Sequence, residues 1–168
     1  MKTLNTIILT LQYDRFGLVD IATGIAAIRA QTEARNKNRV PLSGAMLKLA
    51  SLRLRTFAGK GTQCSACGLQ ASHFAIERSY IHAGLPEEEQ RYHLNLWGVK
   101  DSEEILFTHD HTLARCLGGA NTVSNSTTMC TICNGAKSVG ERHKLELRRQ
   151  VDAAKKLVSK KGIQTTNG

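Results

Sequence analysis

The chain has 168 residues, enough for one functional unit with an appendage and too few for two full-sized domains. Its hydrophobic fraction of 41% can supply a core, but only 5% of residues are aromatic, so something besides aromatic packing has to hold part of it together. A net charge of +9 makes nucleic acid the leading partner, the lack of any run of about 18 apolar residues excludes a membrane-spanning helix, and Asn5 and Gln12 interrupt an N-terminal stretch that would otherwise faintly suggest export.

At the N-terminus, Leu4, Ile7, Ile8 and Leu11 have helical spacing and predict a helix ending at Gly17, although Ile7 to Tyr13 also fits a strand. Asp20 is placed to cap a helix from Ile21 to about Arg35, and residues 36–40 are polar enough for a loop. Ser43 then predicts a further helix through Phe57, burying Met46, Leu47, Ala50, Leu54 and Phe57 and stopped by Gly59 and Gly61. Lys48, Arg53 and Arg55 would lie on its solvated side or touch DNA. Residues 1–60 are thus expected to form a basic, mostly helical extension, acting as a DNA clamp or as a docking surface for a protein partner.

Further along, a short helix is predicted over 71–79, a polar link over 86–90, and a hairpin pairing Tyr92–Val99 with Glu104–Thr108. A loop rich in Gly, Asn, Ser and Thr follows from Leu117 to Thr128, then a helix from Asn134 to about Lys160. The fold class is α+β, with a domain over 61–162 and a flexible tail over 163–168. Charge follows the same plan: residues 1–63 carry 10 basic and 3 acidic side chains, 64–133 carry 4 and 8, and 134–168 carry 9 and 3. An acidic middle between basic flanks suits a cation site beside a phosphate grip.

Two C-x-x-C knuckles, Cys64/Cys67 and Cys130/Cys133, each present two thiolates to one side of a metal, and together they make a four-thiolate site of the kind that holds structural Zn2+. Paired thiols of this kind fit a reducing cytosol better than disulfides. The 62 residues between the knuckles leave room for a whole hairpin, so the metal would staple the start of the domain to its last helix. Cys116 is read as an ordinary thiol rather than a fifth ligand.

The strand EILFT runs directly into His109-Asp110-His111, and the second knuckle leads without a break into Asn134. Asp110 and the amide oxygen of Asn134 are hard donors suited to Mg2+ or Mn2+, with room left for water and a phosphate oxygen. His111 is placed to take a proton from water, because imidazole titrates in the neutral range. Lys137, one turn after Asn134, and Arg115, in the loop, are candidate phosphate contacts. His109 is read either as a supporting or substrate-contact residue or as a surface histidine, and His73, His82, His93 and His143 are assigned no chemistry.

Residues 109–138, HDHTLARCLGGANTVSNSTTMCTICNGAKS, together with the upstream CSACG and the hairpin, resemble the HNH (ββα-metal, His-Me finger) endonuclease family over about 75 residues. The order of a D-H pair, a Gly-Gly loop, a Ser-Asn and then C-x-x-C-N-x-x-K carries the likeness. It implies a ββα-metal core, His111 as general base, Asp110 and Asn134 as catalytic metal ligands and Asn125 as the loop-organising central Asn. With Asn134 in the third position the chain would be an HNN variant. It is also similar to phage endonuclease VII-type nucleases, which carry an acidic residue where Lys137 stands. The resemblance implies a one-metal DNA endonuclease of a bacterial or phage-infected cell, leaving 5′-phosphate and 3′-hydroxyl ends. The competing expectations are a zinc-stapled DNA-binding accessory protein without catalysis and an enzyme acting on RNA, for which no exposed-aromatic pattern speaks.

Overall fold

A computed structural model describes residues 13–79, 84–86, 89 and 91–163. Most of the helix expected before Gly17, half or more of the 86–90 link and nearly all of the tail lie outside these residues. In chain order the elements are β1 (Tyr13–Val19), α1 (Ile21–Glu33), β2 (Val40–Leu42), β3 (Ala45–Leu47), α2 (Leu52–Lys60), β4 (Ala71–Ser79), β5 (Tyr92–Lys100), β6 (Glu103–His111), a 3-10 turn (Arg115–Leu117), β7 (Ser126–Cys130) and α3 (Thr131–Ile163).

One curled seven-stranded sheet contains all the strands, in the order β1-β4-β5-β3-β2, with β6 bridging β5 and β7. The first half of β6 pairs with β5, from Lys100↔Glu103 to Trp97↔Leu106, and its second half turns to β7, from Phe107↔Cys130 to His111↔Ser126. Phe57, Phe74 and Phe107 are fully buried together with Ile28, Leu47, Leu49, Leu54, Ile76, Leu94 and Leu96. The helices α1 and α2 therefore share one core with the strands.

Several expectations change. The segment 13–17 is strand, not helix, hydrogen-bonded to β4 from Tyr13↔Ser79 onward. The helix expected from Ser43 is replaced by the β2–β3 hairpin, because Ser43 (φ 47) and Gly44 (φ 83) form a two-residue turn with both residues in the left-handed region. Met46 is accordingly 48% exposed, and the helix starts only at Leu52, capped by the Ser51 hydroxyl and stopped at Gly61. Residues 71–79, expected as a helix, form a central strand between β1 and β5. Phe74, Ala75, Ile76 and Glu77 are buried in succession, which erases the alternation that marks a strand with one wet face. The described part of the 1–60 extension is therefore mixed rather than mostly helical, two helices and three strands.

Other readings hold in outline. Asp20 caps α1 by accepting from the Thr23 amide at 2.9 Å. The expected hairpin is β5–β6, longer by one residue in β5 and by four residues across β6. The loop is 112–125 rather than 117–128, and α3 begins at Thr131, so Asn134 lies within its first turn.

A buried carboxylate ties the sheet crosswise. Glu77 is 2% exposed; its Oε2 accepts from Asn95 Nδ2 at 2.6 Å and from Trp97 Nε1 at 3.2 Å, while its Oε1 accepts from Arg15 Nε at 2.9 Å. Arg15 also donates to both oxygens of Glu104, at 2.8 and 3.0 Å. β1, β4, β5 and β6 are thereby joined through one charged network.

The molecule divides into two compact units after Asn134. Within the second unit, α3 carries the pairs Lys137–Glu141 at 3.4 Å and Glu146–Arg149 at 3.9 Å along its surface. Among the described residues no helix is long and apolar enough to cross a membrane.

Candidate functional site

The four knuckle cysteines meet. Their Sγ atoms all lie within 4.8 Å of one another, and Cys67 and Cys130 are 3.9 Å apart. A tetrahedral zinc with Zn–S near 2.3 Å sets its sulfurs ~3.8 Å apart, so the cluster could hold a metal ion such as zinc. Gly68, at φ 74, closes the first knuckle by donating its amide to the Cys64 carbonyl at 2.9 Å. Cys116 is exposed and takes no part in the cluster.

Electrostatics in the cluster favour one thiolate and oppose the next. Burial works to raise the Cys64 pKa, but the amides of Cys130, Cys67 and Ala66 pointing at its sulfur outweigh this and draw it down to about 6. Burial and the neighbouring thiols Cys130 and Cys67 push Cys133 up to about 12, and burial raises Cys130 as well. A dication among the sulfurs removes that conflict by neutralising them together.

The cluster lies at the junction of β7 and α3, because Cys130 ends the strand and Cys133 belongs to the first helical turn. Asn134 follows immediately. On the facing strand, Asp110 is in register with Thr127 and His111 with Ser126. His109, Asp110, His111, Arg115, Asn121 and Asn134 line one open cleft of about 1170 Å3. The carboxylate of Asp110 and the amide of Asn134, which the sequence paired, thus belong to residues that line the same cleft.

Asn125 fastens the loop above this cleft. Its Oδ1 accepts from the Leu113 amide at 3.0 Å, its Nδ2 donates to the carbonyls of Leu113 at 3.0 Å and Ala120 at 2.9 Å, and its own carbonyl accepts from the Thr112 amide at 2.8 Å. The loop closes so tightly that a Cβ on Gly119 would come within 1.8 Å of the Leu113 carbonyl oxygen. This explains the second glycine of the Gly-Gly pair.

Two contributors escaped the sequence reading. Asn121 Oδ1 lies 3.0 Å from His111 Nε2, and a hydrogen on Nε2 directed at this oxygen would leave Nδ1 as the basic nitrogen. The signal was an Asn inside a polar loop, indistinguishable from a solvated residue. The other is the set of Lys37, Arg39 and Arg91, which line the cleft beside Lys48 and Arg53, the two cations the sequence had left between a solvated side and a DNA contact.

His109 packs its ring edge-on to His111, with centroids 5.4 Å apart, and its Nδ1 is buried with no hydrogen-bond partner among the described residues. Desolvation, then the nearby His111 and Arg53, lower its pKa below the usual imidazole value. Lys137 pairs with Glu141 on α3, within the second unit. Comparison with protein-family models, curated proteins and solved structures gives no match to this chain.

Proposed function

We propose that this chain is a metal-dependent endonuclease of the HNH type, hydrolysing DNA phosphodiester bonds at the cleft between β6 and the first turn of α3. The observation that carries the reading is that Asp110, His111 and Asn134 line one cleft whose other charged side chains, among the described residues, are six cations. A general base, two hard-oxygen donors and a phosphate-attracting surface together are what phosphodiester hydrolysis requires, and a DNA-binding accessory protein needs only the last. The antiparallel pair β6–β7, joined by the 112–125 loop and followed by α3, supports the ββα reading that the resemblance of residues 109–138 suggests.

Asp110 and Asn134 would hold a Mg2+ or Mn2+ ion, which supplies positive charge to the phosphate and to the departing oxygen. His111 Nδ1 removes a proton from the attacking water, and Asn121 keeps the ring in the tautomer that leaves this nitrogen basic. The new P–O bond forms opposite the P–O3′ bond, which breaks; the departing 3′ oxygen takes a proton from a solvent water and His111 returns its own to solvent, giving a 3′-hydroxyl and a 5′-phosphate. Asn125 acts through the loop, fixing the segment that carries Arg115 and Asn121. The cysteine cluster, holding Zn2+, fixes the turn that carries Asn134.

Supercoiled plasmid incubated with the protein and Mg2+ or Mn2+ tests the reading. Nicking that disappears when the divalent ion is omitted and in His111→Ala, with zinc content and melting unchanged, is the expected result. Equal nicking by wild type and His111→Ala, or none by wild type, overturns it. Cys130→Ser is expected to unfold the protein instead.

A further inference from the structure

The cationic lining of the cleft is a built surface. Gln31, only 3% exposed on α1, donates its amide to the Asn38 carbonyl and accepts from the Leu49 amide, so one buried side chain clamps the loop carrying Lys37 and Arg39 and the strand exit beside Lys48. Asn36 Oδ1 fastens the same loop by accepting from the Asn38 amide at 2.9 Å. Arg53 on α2 donates to the Leu94 carbonyl of β5 at 3.1 Å, and both residues line the cleft. Arg91 lies at the entry to β5. Among the described residues that line the cleft, Asp110 is the one carboxylate and Tyr92 the one large aromatic.

Resting on the nuclease reading for the identity of the polymer, we propose that Lys37, Arg39, Lys48, Arg53 and Arg91 form a phosphate track. It grips the nucleic-acid backbone on either side of the scissile bond without reading bases. Cations held on a clamped loop neutralise phosphates and release counterions, and they carry no sequence information. A groove that recognises unpaired bases needs a row of aromatic platforms, which this one lacks. The track is supplied by residues 37–53 and 91, outside the 109–138 segment that carries the catalytic groups. These residues hold the substrate in position, and His111, Asp110 and Asn134 act on it.

The test uses full-length His111→Ala protein, zinc-loaded and without added Mg2+ or Mn2+, binding a fluorescent 20-base-pair duplex across a salt series. Lys37→Gln/Lys48→Gln/Arg91→Gln, made in that background, is expected to make the slope of log affinity against log salt shallower by about 3. It is expected to bind on the order of 100-fold more weakly at 0.15 M salt. Lys100→Gln, at the end of β5 and outside the cleft lining, changes the slope by no more than about 1. Duplexes of unrelated sequence bind within a few-fold of one another. An unaltered slope in the triple variant with an unchanged melting temperature overturns the track, and so does tighter binding of the single strand than of the duplex. Strong preference for one sequence overturns the backbone-only readout. Plasmid nicking by the wild type separates the two ideas. A track-dependent slope without nicking sinks the nuclease reading alone, and nicking with an unaltered slope sinks the track alone.

Discussion

His109 shows how a neighbour's identity can hide behind a motif. In sequence it is one of three polar residues in HDH; in the structure it is half-buried against His111, with an Nδ1 unpartnered among the described residues and a pKa held down by desolvation and by the charges of His111 and Arg53. Because its folded pKa lies below the ordinary value of 6.5, the unfolded chain binds the proton more readily. The neutral ring's contribution to stability is complete above pH 6.5 and is lost as pH falls through the interval below it. Melting temperatures measured from pH 7.5 to 5 are expected to fall more steeply for wild type than for His109→Gln. Parallel curves would show that burial does not disfavour the charged ring. Asn125 is the contrasting case: its place in the motif implied a loop-organising role, and its hydrogen bonds to residues 113 and 120 have the geometry such a role needs.

Among the elements, β4 is the one whose nature sequence pattern could not reveal. A strand covered on both faces has no polar side, so Phe74-Ala75-Ile76-Glu77 lacks period-two alternation, and Glu77 reads as a surface charge. Its burial is tolerated because Arg15, Asn95 and Trp97 supply donors from both neighbouring strands. Glu77→Ala leaves Asn95 Nδ2 and Trp97 Nε1 without their acceptor and Arg15 with Glu104 but without Glu77, and should destabilise the protein by about 2–4 kcal/mol. Chemical denaturation followed by the fluorescence of the single tryptophan, Trp97, reads this directly; a loss under about 1 kcal/mol would mean that water replaces the carboxylate. The β2–β3 hairpin was more legible than the helix reading allowed, since Ser43-Gly44 between short apolar runs is a turn signal, here overridden by helical spacing that ran across it.

At the scale of the molecule, the basic N-terminal region is part of the sheet and of the core rather than an appendage. β1 completes one edge through β4, Ile28 of α1 is fully buried, and Phe57 of α2 lies at the centre. Removing residues 1–60 exposes Phe74, Ile76 and Phe107, so a fragment starting at residue 61 is expected to melt without cooperativity and to lose plasmid nicking even when loaded with zinc. A sharp calorimetric transition for that fragment would show that the metal cluster and α3 suffice for a domain.

The sequence by itself marked the two C-x-x-C pairs, the polar loop and the candidate chemical groups Asp110, His111 and Asn134, while the part given to Asn125 came from the family resemblance. Each pair depends on residue type and short spacing, which local covalent geometry translates almost directly into structure, whereas the meeting of the two pairs is tertiary. Only the tertiary structure decided that residues 13–60 share the sheet, that β4 runs through its middle, and that Lys37, Arg39, Lys48, Arg53 and Arg91 face the same cleft as His111. Those facts rest on pairing between strands up to 66 positions apart, from Tyr13 to Ser79, and on burial of both faces of a strand. Such long-range pairings leave no periodic trace in the chain, because the partner that satisfies each group lies far away along it.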